Sequence, residues 1–400
     1  MNLFRRIYEL NNKSSSYFSK LVRKISLLSI SIGLFSILIS SFVLIGFKKE
    51  IKNKIYDFSG HYNISSYSNG ITFKNSPLEL NEGFYSNYSD LNIIEDVFPY
   101  ILNSALVQGK NESIEGVIFK GIEKKYLENI KSHFDNFNDT NDFTSSVLIS
   151  NYLSEKLKLD INDTVTVFFP NDPPIFRKLK IKAIFSTGLE EIDKSIIYGD
   201  IGLSRKIYQW DNNKASGIHV FLNDFDEDDI VIDLLNKKTS FNEYVESTNS
   251  KYIQIFDWLS LLDKNVIIFF IIILVVACFN MLSIVFIVIM EKTNLIGTLK
   301  SFGTQKKMIY SIFFNIGLKI SIYGIVIGNL LSLLFYIIQE KYELIKLNKE
   351  NYYIDHVPVD YDLMVVLMIN FILFFMILIS IYIPILFINK IKIIKSIKFS

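Results

Sequence analysis

The chain has one cysteine, Cys278, in 400 residues, so no disulfide forms within it. Histidine is nearly as scarce. His61, His133, His219 and His356 are scattered and leave little material for a metal cluster. No glycine loop ends in Gly-Lys-Ser or Gly-Lys-Thr, and neither Gly-x-Ser-x-Gly nor His-Glu-x-x-His occurs. The chain therefore reads as non-catalytic. Most informative is where charge is missing. Half of the residues are hydrophobic, an ordinary share for a soluble domain, but here they gather in long runs. Four stretches contain no Asp, Glu, Lys or Arg: Ile25–Phe47, Val266–Met290, Ile320–Ile338 and Leu363–Asn389. That pattern excludes a simple soluble enzyme, a disordered chain and a fibrous protein.

A helix needs about 20 apolar residues to cross a hydrocarbon core of roughly 30 Å, and each stretch meets that length. The first run is far longer than the apolar part of a secretory leader and is followed by Lys48 and Lys49, so it reads as a retained anchor. Lys and Arg in the flanks set the orientation. Residues 1–24 hold Arg5, Arg6, Lys13, Lys20, Arg23 and Lys24 against Glu9 alone, residues 291–308 hold four Lys against Glu291, and residues 390–400 hold four Lys and no acid. Residues 48–264 and 339–362 carry an excess of acid. Both termini are expected in the cytoplasm. The expected order is an amphipathic segment 1–24, spans at 25–47, 265–290, 309–338 and 363–389, an outer domain 48–264, a cytoplasmic helix 291–308, an outer loop 339–362 and a tail 390–400. The fold class is thus an integral membrane α-helical protein of four transmembrane helices, with a large α+β extracytoplasmic domain between the first two.

In residues 1–24 the helical spacing of Leu3, Phe4, Ile7 and Tyr8, then Tyr17, Phe18, Leu21 and Val22, suits a helix in the inner interface of an anionic membrane. In the outer domain, Ala105–Val107, Ile114–Phe119, Thr164–Phe169, Leu179–Phe185 and Ile218–Leu222 read as strands. Asn151–Leu159 behind Ser150, Ser204–Trp210 and Ile230–Leu235 read as helices. The mixture suggests α+β in two lobes. Ile255, Phe256, Leu259 and Leu262 form one face of a helix that continues into the second span. The acids Asp224, Asp226, Glu227, Asp228 and Asp229 imitate the start of a calcium loop, but the sixth position is Asp229 instead of Gly and the twelfth is Leu235 instead of Glu. They fit the start of a helix better.

Small residues recur on single faces of two spans: Ser29, Gly33, Ser36 and Ser40, then Ser321, Gly324, Gly328 and Ser332. Such stripes let helix backbones approach closely in lipid. No span carries an acid, which argues against proton- or sodium-coupled transport. In residues 291–308, Leu295, Ile296, Leu299 and Phe302 fall on one helical face and Gly303 can end the helix. A short basic amphipathic helix on the cytoplasmic side either rests on the membrane or fits a groove of a soluble partner.

Met290-Glu291-Lys292, followed by Ile296, Leu299, Lys300 and Gly303, resembles the region between the second and third spans of FtsX-like ABC transporter permeases. Within them it is most similar to the lipoprotein-releasing permeases of Gram-negative inner membranes. Ala277–Leu282 resembles the Phe-Asn step of the family's second span. Tyr352–Asp362, with Val357-Pro358, resembles the loop before its last span. The segments EGVIFKGI, ISNYLSEKLKLDINDTVTVFF and IFSTGLEEIDKSIIYGDI follow the family order through the outer domain. There are departures: Ile393 stands where proline is usual, Asn162-Asp163 replaces a Gly-Asp turn, and the segment from Phe169 to Lys178 is short where some relatives carry a longer hook for a periplasmic carrier.

The resemblance implies a permease subunit that works with a separate cytoplasmic ATPase dimer and a second permease, identical or homologous. Its substrate would be a lipoprotein lifted from the outer leaflet of the inner membrane, with a periplasmic lipoprotein carrier as a further partner and no nucleic acid. No cofactor is expected on this chain, and ATP and Mg belong to the ATPase. The implied coupling residues are Leu295, Ile296, Gly297, Leu299, Lys300, Phe302 and Gly303. The implied helix-packing residues are Gly33, Ser36, Ser40, Gly324 and Gly328, and a substrate path would use Phe42, Phe279, Asn280 and Met281. Two rivals remain: a permease that exports another substrate or transmits force to cell-wall hydrolases, and a transmembrane sensor. The expected cytoplasmic segments are too short for a sensor's output domain.

Overall fold

The computed structural model describes residues 17–67, 77–80, 85, 88, 93–110, 113–135, 143–223, 228–347 and 356–390. The expected N-terminal amphipathic segment up to residue 16, most of the acidic cluster, residues 348–355 of the outer loop and the tail from 391 lie outside the described residues. The chain divides into two compact units.

The first unit holds the membrane helices. Four helices are long and apolar enough to cross a membrane: Tyr17–Ser59, Ile253–Glu291, Lys306–Tyr342 and Leu363–Leu386. The second begins at Ile253 without a break, as its apolar face predicts. One apolar cluster joins all four, with Leu34 and Leu38 from the first, Met281 and Ile284 from the second, Phe313 from the third and Ile377 and Ile381 from the fourth. In lipid, burial of apolar surface does not drive helices together, so close packing and hydrogen bonds must do so. Both are present. The Asn280 amide donates to Ser29 Oγ (2.5 Å), and Asn329 and Asn370 exchange amide hydrogen bonds of 2.7 and 3.0 Å. Where the first two helices leave the apolar zone, Lys48 pairs with Asp263 at 2.6 Å and the Phe47 ring meets Trp258 edge-on.

The second unit, residues 49–257, is a sheet domain. Its strands are β1 (Tyr62–Ser66), β2 (Leu78–Glu79), β3 (Ile94–Gln108), β4 (Ile114–Ile122), β5 (Phe134–Asp135), β6 (Ser146–Ser150), β7 (Thr164–Phe169), β8 (Ile175–Phe185), β9 (Ile196–Asp200), β10 (Lys214–Ala215), β11 (Gly217–Leu222) and β12 (Glu243–Ser247). Ten of them form one sheet of order β12-β1-β11-β3-β4-β9-β6-β8-β5, and β7 pairs with both β3 and β8. The pairings β3–β4, β4–β9, β9–β6, β6–β8, β8–β7 and β7–β3 therefore close a ring of six strands. Its inward residues, among them Val107, Val117, Phe119, Val147, Val165, Val167, Leu179 and Ile181, form a core of their own. The expectation of two lobes gives way to this ten-stranded sheet, with β2 and β10 paired apart from it, and three separate apolar clusters.

Local signals place the short elements. Ser150 Oγ accepts from the Leu153 N–H and caps the helix Asn151–Leu157. Asp200 does the same for Ile201–Tyr208 through the Leu203 N–H. Asn162, opening the Asn162-Asp163 turn, takes a left-handed φ of 76°, which asparagine tolerates better than most residues.

Candidate functional site

Two regions of the membrane unit gather the residues singled out by sequence: the third helix where it meets the first, and the short helix between the second and third spans.

The third helix buries Gly317, Ser321, Gly324, Gly328 and Ser332 along one face. A Cβ on Gly324 would sit 2.9 Å from Ile30 Cγ2, and one on Gly328 would sit 3.0 Å from Leu34 Cβ and from the Ser31 carbonyl oxygen. The first helix thus lies directly on this stripe. Ser31 Oγ donates to the Gly324 carbonyl (3.0 Å) and to Leu27 (2.8 Å). The other stripe meets the second helix through Ser29, which accepts from Asn280, and Gly33, but not through Ser40. Gly33 points at Ile273 of the second helix, at 3.1 Å from its would-be Cβ. Ser40 is exposed and turns its hydroxyl back to the Ser36 carbonyl. The face that meets Gly324 and Gly328 is instead Ile30, Ser31 and Leu34. Gly317 packs on Ile381 of the fourth helix.

The short helix runs Thr293–Ser301. Gly303 ends it with φ of 75°, its N–H donating to the Lys300 carbonyl while the Thr304 N–H reaches Leu299. These two bonds form the glycine stop that the sequence suggested. The expected common face is corrected. Ile296 is fully buried in the bundle's own cluster, Gly297 is buried and Leu299 packs against the same cluster. Leu295 is half-buried. Phe302, by contrast, is 82% exposed. Helical periodicity identified an apolar face but could not say whether it packs on this chain or on another. Lys300 does not simply reach solvent: its Nζ donates to the Ile388 carbonyl at 2.8 Å, just past the fourth helix. Partial burial, and then neighbouring Lys306, hold its ammonium below the ordinary lysine range.

The four residues of the supposed substrate path are not brought together. Phe42 is buried and packs on the rings of Tyr336 and Tyr361. Met281 is buried in the bundle cluster and Asn280 faces Ser29. Phe279 is 65% exposed. Among the described residues no group of His, Cys, Asp and Glu could hold a metal ion.

Sequence reading missed a cluster in the sheet domain. Lys120, from β4, is 5% exposed and donates to the Phe58 carbonyl at 3.1 Å. His219, from β11, is equally buried and stacks on Tyr100 with ring centroids 4.3 Å apart. The only hint was a lysine inside an otherwise apolar strand, Val117–Ile122.

Residues 267–393 match the family described as "FtsX-like permease C-terminal". The lipoprotein-releasing system transmembrane protein LolC of Buchnera aphidicola (Schizaphis graminum) is 27% identical over 383 residues, covering 92% of this chain and 91% of that one. The LolC protein of Neisseria meningitidis is 23% identical, covering 88% of each chain. Among solved structures, the periplasmic region of MacB from Actinobacillus actinomycetemcomitans covers 50% of this chain and 95% of its own at 12% identity, with a TM-score of 0.36, too slight a likeness to argue from. The resemblance read from the sequence is borne out: residues 267–393 match the FtsX-like permease model, and most of the chain is similar to lipoprotein-releasing transmembrane proteins.

Proposed function

We propose that the chain is the permease subunit of an ABC transporter that extracts lipoproteins from the outer leaflet of the inner membrane for delivery to the outer membrane. Similarity to LolC over nearly the whole of both chains carries this reading, because it spans the four membrane helices and the sheet domain together. The energy source is a separate cytoplasmic ATPase dimer that holds ATP and Mg, and a second permease, identical or homologous, completes the assembly. Both termini and the short helix Thr293–Ser301 face the cytoplasm. Withdrawing an acyl chain from the bilayer costs about 0.8 kcal/mol per CH₂, so a substrate with several chains does not leave on thermal energy alone. Exposed Phe302, beside the bundle-anchored Ile296, offers the ATPase an aromatic contact backed by a fixed helix. A carrier docking on the sheet domain would meet only a short β7–β8 connection at residues 170–174.

Depletion of the protein in its own cell tests the reading. Fractionation should show outer-membrane lipoproteins retained in the inner membrane. Normal sorting of lipoproteins after depletion would refute lipoprotein extraction and leave a permease for another exported substrate.

A further inference from the structure

The carboxyl end of the first long helix, residues 49–59, is built into the sheet domain through a set of buried polar contacts. Tyr126 donates its hydroxyl proton to the Asp57 carbonyl at 2.6 Å, Lys120 Nζ donates to the Phe58 carbonyl, and Thr248 Oγ1 donates to the Gly60 carbonyl at 2.7 Å. Helix ends leave their last carbonyls without intrahelical partners, and the Lys120 amine supplies a donor there whether or not it is charged. The surroundings of this amine are unusual. Lys120 Nζ lies 5.2 Å from the Tyr100 ring centroid and 5.5 Å from that of Tyr198, so its neighbours are aromatic faces. No carboxylate pairs with it among the described residues. His219 stacks on the same Tyr100 ring. Neither of its ring nitrogens has a hydrogen-bond partner, and the Tyr198 hydroxyl is also unpartnered.

We propose that this cage is an acid-sensitive fastening: Lys120 positions the end of the first helix on the sheet, and proton uptake at Lys120 and then His219 loosens it. The physical basis is that a charge removed from water without a counter-ion is costly, and that two cations sharing one cage repel. Burial, and after it the charge of Lys251, pushes Lys120 down to about 7 from an ordinary 10.5. Burial, then Lys120 and Lys251, holds His219 well below its ordinary 6.5. Both groups bind protons less readily in the folded domain than in the unfolded chain. Falling pH therefore lowers stability, through Lys120 from about 10.5 down to 7 and through His219 below about 6.5.

The other charged and titratable groups around the joint are accounted for. Asp57 is bonded to His133 Nε2 at 2.7 Å. Asp193, which faces Tyr198 and Lys54, is held by the N–H groups of Thr187 and Gly188. Glu246, Tyr244 and Tyr252 face Tyr100. His61 stacks on Tyr56, and its Nδ1 accepts from the Leu222 N–H. None of the three acids offers Lys120 a salt bridge among the described residues.

The test is hydrogen exchange of the full chain in nanodiscs, at pH 6.0 and pH 8.5, corrected for the intrinsic rate. Wild-type amides of residues 53–62 are expected to exchange at least tenfold faster at pH 6.0, while those of the β7–β8 hairpin change less than twofold. Lys120→Met, close in shape and uncharged, should shrink the ratio below threefold. Lys120→Arg, always charged, should exchange fast at both pH values. A wild-type helix end without the pH step overturns the proposal, and so does a step of equal size in the hairpin. A step that survives in Lys120→Met but disappears in His133→Gln or His61→Gln also overturns it. If Lys120→Met fails to fold, the wild-type comparison of helix end with hairpin still decides.

Discussion

Alanine at Gly324 and Gly328 sets two effects of opposite sign against each other. In a helix, alanine is favoured over glycine by about 0.8–1 kcal/mol per site, so propensity alone predicts a more stable protein. Contact predicts the reverse. The new methyl at 324 would lie 2.9 Å from Ile30 Cγ2 and 3.0 Å from its Cβ, atoms of a branched side chain that is 1% exposed. At 328 it would meet Leu34 Cβ and the Ser31 carbonyl oxygen, both at 3.0 Å. Ordinary carbon contacts lie at about 3.5–4.0 Å, so the first and third helices must part by several tenths of an ångström. Parting also stretches the Ser31 hydrogen bond to the Gly324 carbonyl. Overpacking of this kind costs about 1–3 kcal/mol. After the gain from propensity, each single variant should lose about 0–2 kcal/mol. The pair should lose more than either single variant but less than their sum, because one displacement relieves part of the strain at both sites. The assay is reversible unfolding of the chain in mixed micelles by increasing SDS, followed by loss of helix signal. Ser40→Ala, at an exposed site, should change stability by less than about 0.5 kcal/mol. A double variant as stable as wild type, or more so, would refute close packing as the role of these glycines.

Asn329→Leu or Asn370→Leu leaves one amide without its partner in the bundle, at a cost of about 0.6–2 kcal/mol; the double variant should recover part of that loss in the same unfolding assay, and strict additivity would show that the pair contributes no coupling. Phe302→Ala should leave the bundle's stability unchanged, since that ring is largely exposed, but weaken co-purification of the ATPase by about tenfold or more, as for an aromatic anchor at an interface. Leu299→Glu should instead destabilise the permease itself, because Leu299 packs on the chain's own cluster; a stable Leu299→Glu permease that has lost only its ATPase would reverse these two assignments.

The apolar runs and the short strands were legible because their signals are local. Charge-free stretches can only be long apolar helices, and Ser150, Asp200 and Gly303 act on backbone groups a few residues away. What was not legible depends on partners distant in the chain. Nothing in Thr164–Phe169 tells that β7 closes a ring against β3 as well as pairing with β8. Ser29 and Gly33 of the small-residue stripe do face the second helix, but the sequence did not show that the third helix meets a different face. The third helix already supplies the small residues, so its partner surface carries the larger Ile30 and Leu34. Lys120 reads as a surface charge by type, and only the arrival of Phe58, Tyr100, Tyr198 and His219 around it buries the amine.

The register of β1 constrains the order in which this protein can be made. Tyr62–Ser66 emerges soon after the first span, yet its neighbours on both sides come late: Gly217–Val220 in β11 and Glu243–Ser247 in β12. Until the ribosome has delivered those residues, β1 presents two unsatisfied edges, a state prone to pairing with the wrong strand. Long-range pairings of this kind form slowly. The six-stranded ring, whose last strand to be synthesised is β9, has all its members before β1 has any of its own. During biogenesis the ring therefore can assemble first, with the segment joining it to the first span completed last, and a chain cut short before Glu243 would leave that segment open to proteases and to aggregation.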